Sequence, residues 1–388
     1  MDRRRYLKVM GSVGVAGVGS YGVYTSLIRD GESDGFTDGP ADRDGPGTQT
    51  TFDAEPRDGT MLFGLTPTQA GTERLALLER WLEKRPLVVG KFVDIGISDD
   101  DIRWYVYSLL ETLWNRGHVP HLFWQPFFGS HEGTSANVTR EVANGEHDGR
   151  IEAWADALAD WARNSQVPDR RLYLNLAPEM NGDWSPWSPA TGDTTEADFV
   201  DMWRHVHDLV TDAGLTGSHV QWIWTIDNTT RDVDVEACYP GDEYVDWTGL
   251  HGYNWANWGV WSPPEEVYTE KLDLLRSISD RPIAVTEFGC SSETVDGDYD
   301  PSKKSQWITD VFEYFTGADV KMSLWFNSTK ETDWAVFGSE YGTDSVSLDG
   351  QSYTVYPAYQ RAMNEPGVLT AYPDHPRLLT DEEFAGDF

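Results

Sequence analysis

The sequence predicts an α/β protein folded as a (β/α)8 TIM barrel. Three observations lead there. Eight short apolar runs follow one another from Gly59 onward, and helical periodicities fill the gaps between them. A doubly wound sheet would use six or seven of these runs and leave the rest unexplained. The chain also lacks a G-x-G-x-x-G turn or a Walker loop after any of the runs.

Taken in order, residues 1–28 read as an address rather than as fold. Arg3-Arg4-Arg5-Tyr6-Leu7-Lys8 resembles a twin-arginine export motif, and a Gly/Val-rich apolar run follows from Val9 to Val23. The run is short and glycine-rich for a membrane-spanning helix, so a cleaved signal and an uncleaved anchor both remain open. Residues 29–57 form an acidic, Gly-rich linker with almost nothing apolar in it. The barrel is expected over 58–370 and an acidic tail over 371–388.

Strands are predicted at Met61–Leu65, Leu87–Ile95, Val119–Phe123, Leu172–Ala177, Val220–Trp224, Trp247–His251, Ile283–Thr286 and Met322–Phe326. Leu75, Leu78 and Leu82 repeat at helical spacing, as do Ile102, Val106 and Leu109, then Ile151, Trp154, Leu158 and Trp161. Phe199, Met202, Val206 and Leu209 form a fourth face, and Trp307, Val311 and Phe315 a fifth. Pro86 and Pro282 stand before strands, where they stop the preceding helix.

Composition narrows the function. The 388 residues carry 30 basic against 65 acidic side chains, a formal charge of −35. Such a field repels phosphate backbones and anionic lipid heads, which excludes nucleic acid as a partner and leaves membrane contact to the N-terminal segment alone. Only 8 of the basic residues are lysine. Diffuse acidity with little lysine is the expectation for a salt-adapted, halophilic protein, whose self-repulsion is screened over about 3 Å in strong salt. Cys238 and Cys290 are the only cysteines; they form one disulfide or stay as two inert thiols.

Barrel chemistry sits at the carboxyl ends of strands. Strand four runs into Pro178-Glu179-Met180-Asn181-Gly182, and strand seven into Glu287-Phe288-Gly289. A glutamate that ends an apolar strand is costly unless it is used or paired. Two of them, facing each other across a barrel mouth, form the pair that glycoside hydrolysis requires. Aromatic residues crowd the same loops: Trp184 and Trp187 after Glu179, Tyr253, Trp255 and Trp258 after strand six, and Trp325 at the end of strand eight. Flat rings of this kind pack on the C–H faces of sugars.

Glu179-Met180-Asn181-Gly182-Asp183-Trp184-Ser185-Pro186-Trp187 resembles the acid/base motif of family 26 glycoside hydrolases, the β-mannanase family of the retaining (β/α)8 clan A. Tyr239 to Trp247 is similar to that family's approach to strand six, and Pro282 to Gly289 to its nucleophile strand. The resemblance implies Glu179 as acid/base and Glu287 as nucleophile, with Tyr253 hydrogen-bonding the nucleophile and Trp325 flooring the reacting subsite. Two departures stand out. Pro178 and Gln125 (after Trp124) take the places where family mannanases commonly carry histidine, so Gln125, Asn175 and Asn181 are the candidates for replacement hydrogen bonds. Trp124, Gln125, Asn181, Trp184, Trp187, Tyr253, Trp255 and Trp325 are thus the expected substrate-binding residues.

The implied protein is an exported, retaining, endo-acting β-glycan hydrolase, most like a β-mannanase, with a β-linked polysaccharide or oligosaccharide as partner. A β-1,3/1,4-glucanase or exopolysaccharide hydrolase of the same fold and a non-catalytic surface carbohydrate binder are the alternatives. Glu179 is expected to rest protonated and Glu287 ionised. No metal or organic cofactor is expected. His118, His121 and His131 match no zinc spacing, Asp99-Asp100-Asp101 suits a helix start, and Ser291-Ser292 lacks a nucleophile context.

Overall fold

The computed structural model describes residues 57–388, apart from 68–71, 164–168, 192, 230, 259–260 and 373–374. The export segment and all but the last residue of the linker lie outside the described residues. No described helix is long and apolar enough to cross a membrane.

Eight parallel strands close on themselves: β1 (Met61–Pro67), β2 (Val88–Asp94), β3 (Val119–Gln125), β4 (Leu172–Leu176), β5 (Val220–Asp227), β6 (Trp247–Asn254), β7 (Ile283–Cys290) and β8 (Met322–Asn327). Each pairs with the next, and β1 pairs with β8 from Leu62↔Met322 to Pro67↔Asn327, which completes the barrel. All eight predicted strands are present. Strands β5, β6 and β7 run three or four residues past their apolar cores, through Asp227, Asn254 and Cys290, because their ends bear the polar residues of the site.

Helices form the outer layer: α1 (Thr72–Leu82), α2 (Asp99–Trp104, continued through a π-helical turn at Tyr105–Leu110 into Glu111–Asn115), α3 (Val138–Ala143), α4 (Asp148–Ala162), α5 (Glu196–Asp212), α6 (Pro264–Ile278) and α7 (Pro301–Gly317). The π-turn has a consequence for α2. One extra residue per turn rotates the face, so Leu110 and Leu113 are buried while Leu109, expected on that face, is only partly covered. Ser98 caps α2 by accepting the Asp101 N–H, the role expected of an acidic helix start.

Three features had no counterpart in the sequence reading. A small antiparallel sheet, β9 (Phe337–Ser339), β10 (Asp344–Leu348) and β11 (Gln351–Val355), follows β8. Its hairpin turns on Asp349-Gly350, both left-handed, which is the two-residue turn matching strand twist. After α8 (Pro357–Met363), β12 (Val368–Leu369) adds to β1 from outside the barrel. The acidic tail ends in α9 (Asp381–Ala385), packed on the amino-terminal ends of the strands. Buried Arg171 donates to the Leu379 and Thr380 carbonyls, the Tyr173 hydroxyl donates to Phe384 O, and Phe384 is buried. The tail therefore floors the barrel and leaves the other end open.

Cys238 and Cys290 are separate, free and buried, and burial pushes both thiols up. The three histidines around β3 are dispersed. His118 bonds Pro86 O and Glu79, His131 bonds Asp94, and His121 lies inside the barrel against Phe123, where burial holds it neutral with a pKa lowered to about 3.

Candidate active site

The open end of the barrel holds a cleft walled by aromatic rings and lined by Glu179 and Glu287. Strand β4 stops at Leu176, and the chain turns sharply through Ala177, Pro178 and Glu179. Ala177 (φ 45°) and Glu179 (φ 59°) are both left-handed, a conformation costing each about 1–3 kcal/mol. The turn is held by Glu179 N–H donating to Thr225 O on β5 and by Trp187 Nε1 donating to Pro178 O. Trp184 then folds back so that its Nε1 donates to Glu179 Oε2 at 2.7 Å. Gly182 makes room for it, since a Cβ there would lie 2.3 Å from the indole.

Glu287 sits at the polar end of β7, 5% exposed. Between the two carboxylates stands His251 of β6, a residue the sequence reading passed over. Its Nδ1 is 2.6 Å from Glu179 Oε1 and 3.3 Å from Glu287 Oε2, and its Nε2 bonds Thr286 Oγ1 at 2.9 Å. Ligand atoms of Glu179, His251 and Glu287 lie within 4.8 Å of one another. Among the described residues this is the only such cluster of His, Cys, Asp and Glu. His251 Nδ1 hydrogen-bonds Glu179 and stands 3.3 Å from Glu287 Oε2, so the three side chains lie in one close cluster.

The electrostatics reverse the expected resting state. Burial pushes Glu179 up, but the His251 hydrogen bond and charge, with the Trp184 hydrogen bond, outweigh it and hold the carboxyl below its ordinary range. Burial and then the Glu179 charge push Glu287 well above that range, against the pull of Lys330 and a hydrogen bond from Tyr253. The two carboxyls are thus pushed in opposite directions, Glu179 towards the ionised form and Glu287 towards the protonated one. The aromatic surroundings do not only disfavour the charge on Glu179, because one of those rings, Trp184, donates a hydrogen bond to it.

A fourth titrating group adjoins the pair. Asp227 ends β5, lines the cleft and is 6% exposed. Burial, then repulsion from Glu179, raises it from 3.8 to about 7.

Of the expected substrate-binding residues, Gln125, Trp184, Trp187, Tyr253 and Trp255 line the cleft, joined by Trp258. Trp255 and Trp258 stack face to face at 3.9 Å, and Trp334 stands edge-on to Trp255 at 4.6 Å. Gln125 Oε1 is buried with no protein partner. Three residues do not reach the cleft. Trp124 is fully buried and packs on Trp154 of α4. Trp325 is likewise buried, against Phe288, Trp307 and Tyr359, and donates to Trp334 O. Side chains alternate across a strand, so the neighbours Gln125 and Phe326 face the cleft instead. Asn181 is consumed by the backbone of Asp227, accepting its N–H and donating to its carbonyl, each at 2.8 Å. Asn175 is buried within the barrel and does not line the cleft.

Comparison with known proteins agrees with this fold. The profile of glycosyl hydrolase family 26 matches residues 114–261, which include the Glu179 loop and His251. Endoglucanase H of Acetivibrio thermocellus is 28% identical over 249 residues, 62% of this chain and 25% of that protein. A β-1,3-xylanase of a Vibrio species is 29% identical over 121 residues, 30% of this chain and 23% of that protein. The chain thus spans about a quarter of the length of these curated relatives. Among solved structures, the catalytic domain of a Bacillus sp. JAMB-750 endo-β-1,4-mannanase superposes with a TM-score of 0.59 at 19% identity, covering 80% of this chain and 87% of that one. A modular endo-β-1,4-mannanase from Cellulomonas fimi gives 0.54 at 20% identity, over 80% and 68%. At such identities the likeness is one of fold. The chain thus folds as a (β/α)8 barrel and, over residues 114–261, is similar to glycosyl hydrolase family 26.

Proposed function

We propose that this protein is a retaining, endo-acting β-glycan hydrolase with Glu287 as nucleophile and Glu179 as acid/base. One observation carries the reading: carboxylate oxygens of the two glutamates approach within 4.8 Å across an aromatic-walled cleft. Retaining glycosidases hold their carboxyl groups about 5–5.5 Å apart, whereas inverting ones leave about 6.5–9.5 Å for a water.

In the first step Glu287 attacks the anomeric carbon, the glycosidic C–O bond breaks, and Glu179 gives its proton to the leaving oxygen. In the second, Glu179 takes a proton from water, the oxygen attacks the same carbon, and the ester to Glu287 breaks. The first step needs a proton on Glu179. His251 supplies the route, since the Nδ1 that faces Glu179 is also within 3.3 Å of Glu287. Passing one proton through it leaves the total charge of the trio unchanged.

The fold likeness to mannanases favours a mannan-like chain. The names of the sequence relatives favour a β-glucan or a β-1,3-xylan as a second reading, and Gln125 in the cleft is a hydrogen-bonding group whose sugar partner would discriminate them. The test is reducing-end release from β-mannans, mixed-linkage β-glucans and β-xylans in high salt, with Glu179→Gln and Glu287→Ala alongside. Activity on one glycan, lost in both variants, is expected. A folded wild type that binds a glycan and leaves it intact would make the protein a binder. Salt adaptation and twin-arginine export to the medium or cell surface complete the proposal, and replacing Arg4 and Arg5 by lysine should retain the protein inside the cell.

A further inference from the structure

Asp227 has no part in the two-step mechanism above, yet it is a buried acid held in the cleft wall by hydrogen bonds to its carboxyl and its backbone. The end of β5 pairs Asp227 with His251 on one side, and Asn181, two residues beyond Glu179, grips its backbone N–H and carbonyl on the other. The carboxyl is therefore fixed relative to the acid/base through a single side chain. Thr229 N–H donates to Oδ1 at 2.7 Å. A neutral amide would satisfy that N–H equally, so a structural role does not call for an acid here. The residue is nine-tenths buried and lines the cleft wall beside Glu179.

We propose that Asp227 is a substrate-contacting acid: its carboxyl hydrogen-bonds a hydroxyl of the glycan beside the scissile bond, on the Glu179 side, and its charge helps Glu179 retain the proton it must deliver. The proposal rests on the hydrolase reading and deepens it. The charged and titratable groups around Asp227 are Glu179 on the β4 loop, His251 on β6 and Arg231 on its own loop, the last ion-paired to Asp183 at 3.1 Å. Across the cleft stand Glu287 on β7 and the Lys330–Glu331 pair after β8. An anion at Asp227 raises the Glu179 pKa, because two adjacent carboxylates resist sharing the charged state. Removing it lets Glu179 lose its proton at lower pH.

The test compares Asp227→Asn and Asp227→Ala with wild type on the glycan found active in the panel. Asp227→Asn keeps the Thr229 and Asn181 contacts and should move the alkaline limb of the kcat/KM profile down by about one pH unit. Asp227→Ala should in addition raise KM about tenfold, the loss expected for one sugar hydrogen bond. Binding of the same glycan to Glu287→Ala, with and without Asp227→Ala, gives a readout free of turnover and should show the same tenfold loss. Unchanged KM and an unmoved limb in folded variants would reduce Asp227 to a structural residue and overturn the proposal while leaving the hydrolase intact. A wild type that neither cleaves nor binds any glycan of the panel would remove the hydrolase reading and this proposal with it.

Discussion

Replacing Asp227 by asparagine should stabilise the fold, and by an amount that grows with pH. In the folded protein burial and the Glu179 charge raise this carboxyl from 3.8 to about 7. A group whose folded pKa lies above its unfolded one contributes stability that is complete below the unfolded value and is lost as pH rises toward the folded one. At about 1.4 kcal/mol per pH unit, the wild type gives up about 4 kcal/mol between pH 4 and pH 7. Asparagine cannot ionise, and it keeps an oxygen to accept the Thr229 N–H, so it is spared that loss. Urea unfolding at fixed salt is the assay. The isoelectric point near 4.4 makes pH 5 a safer lower limit than pH 4. Asp227→Asn should exceed wild type by under about 2 kcal/mol at pH 5 and by about 4 at pH 8. Equal stability at pH 8, or a difference that does not change with pH, would refute the buried-acid reasoning.

Three further perturbations follow from the same geometry. Trp184→Phe removes the indole donor at 2.7 Å from Glu179, so the Glu179 pKa should rise by about one pH unit and the alkaline limb of kcat/KM should move up with it. Lys304→Met deletes a fully buried ammonium that bonds the carbonyls of Asp333, Trp334 and Ala335 and pairs with the Asp333 carboxylate at 3.5 Å. Chemical unfolding should show a loss of about 3–5 kcal/mol, since Asp333 is left buried without its counter-charge, and Trp334 should leave its place in the cleft wall. Cys238 and Cys290 should react with a thiol reagent only after unfolding, and reductant should leave the melting temperature unchanged.

The sequence carried the barrel because apolar strand cores and helical faces are repeated, and each repeat supports the others. It carried Glu179 and Glu287 because a charged residue at the end of an apolar run is anomalous. Applied to strands five and six, the same criterion would have found Asp227 and His251, the first ionisable residues after Trp224-Thr225-Ile226 and Gly249-Leu250. Ending strand five at Trp224 hid Asp227, whereas His251 closed the predicted strand six and was passed over for the aromatic residues beyond it. The misplaced Trp124 and Trp325 show a different limit: a tryptophan at a strand end is equally at home in the cleft or under a helix, and a shift of one residue decides which. The opposite shifts of the two glutamates were out of reach, because they depend on a histidine 72 residues away from Glu179 in the chain.

The most direct test of the central claim is the anomeric configuration of the first product, followed by proton NMR in the first minutes of hydrolysis. A pair of carboxylates this close predicts that the β-anomer appears first and the α-anomer only later, by mutarotation. An α-anomer formed first would mean a single displacement by water and would contradict the assignment of Glu287 as nucleophile.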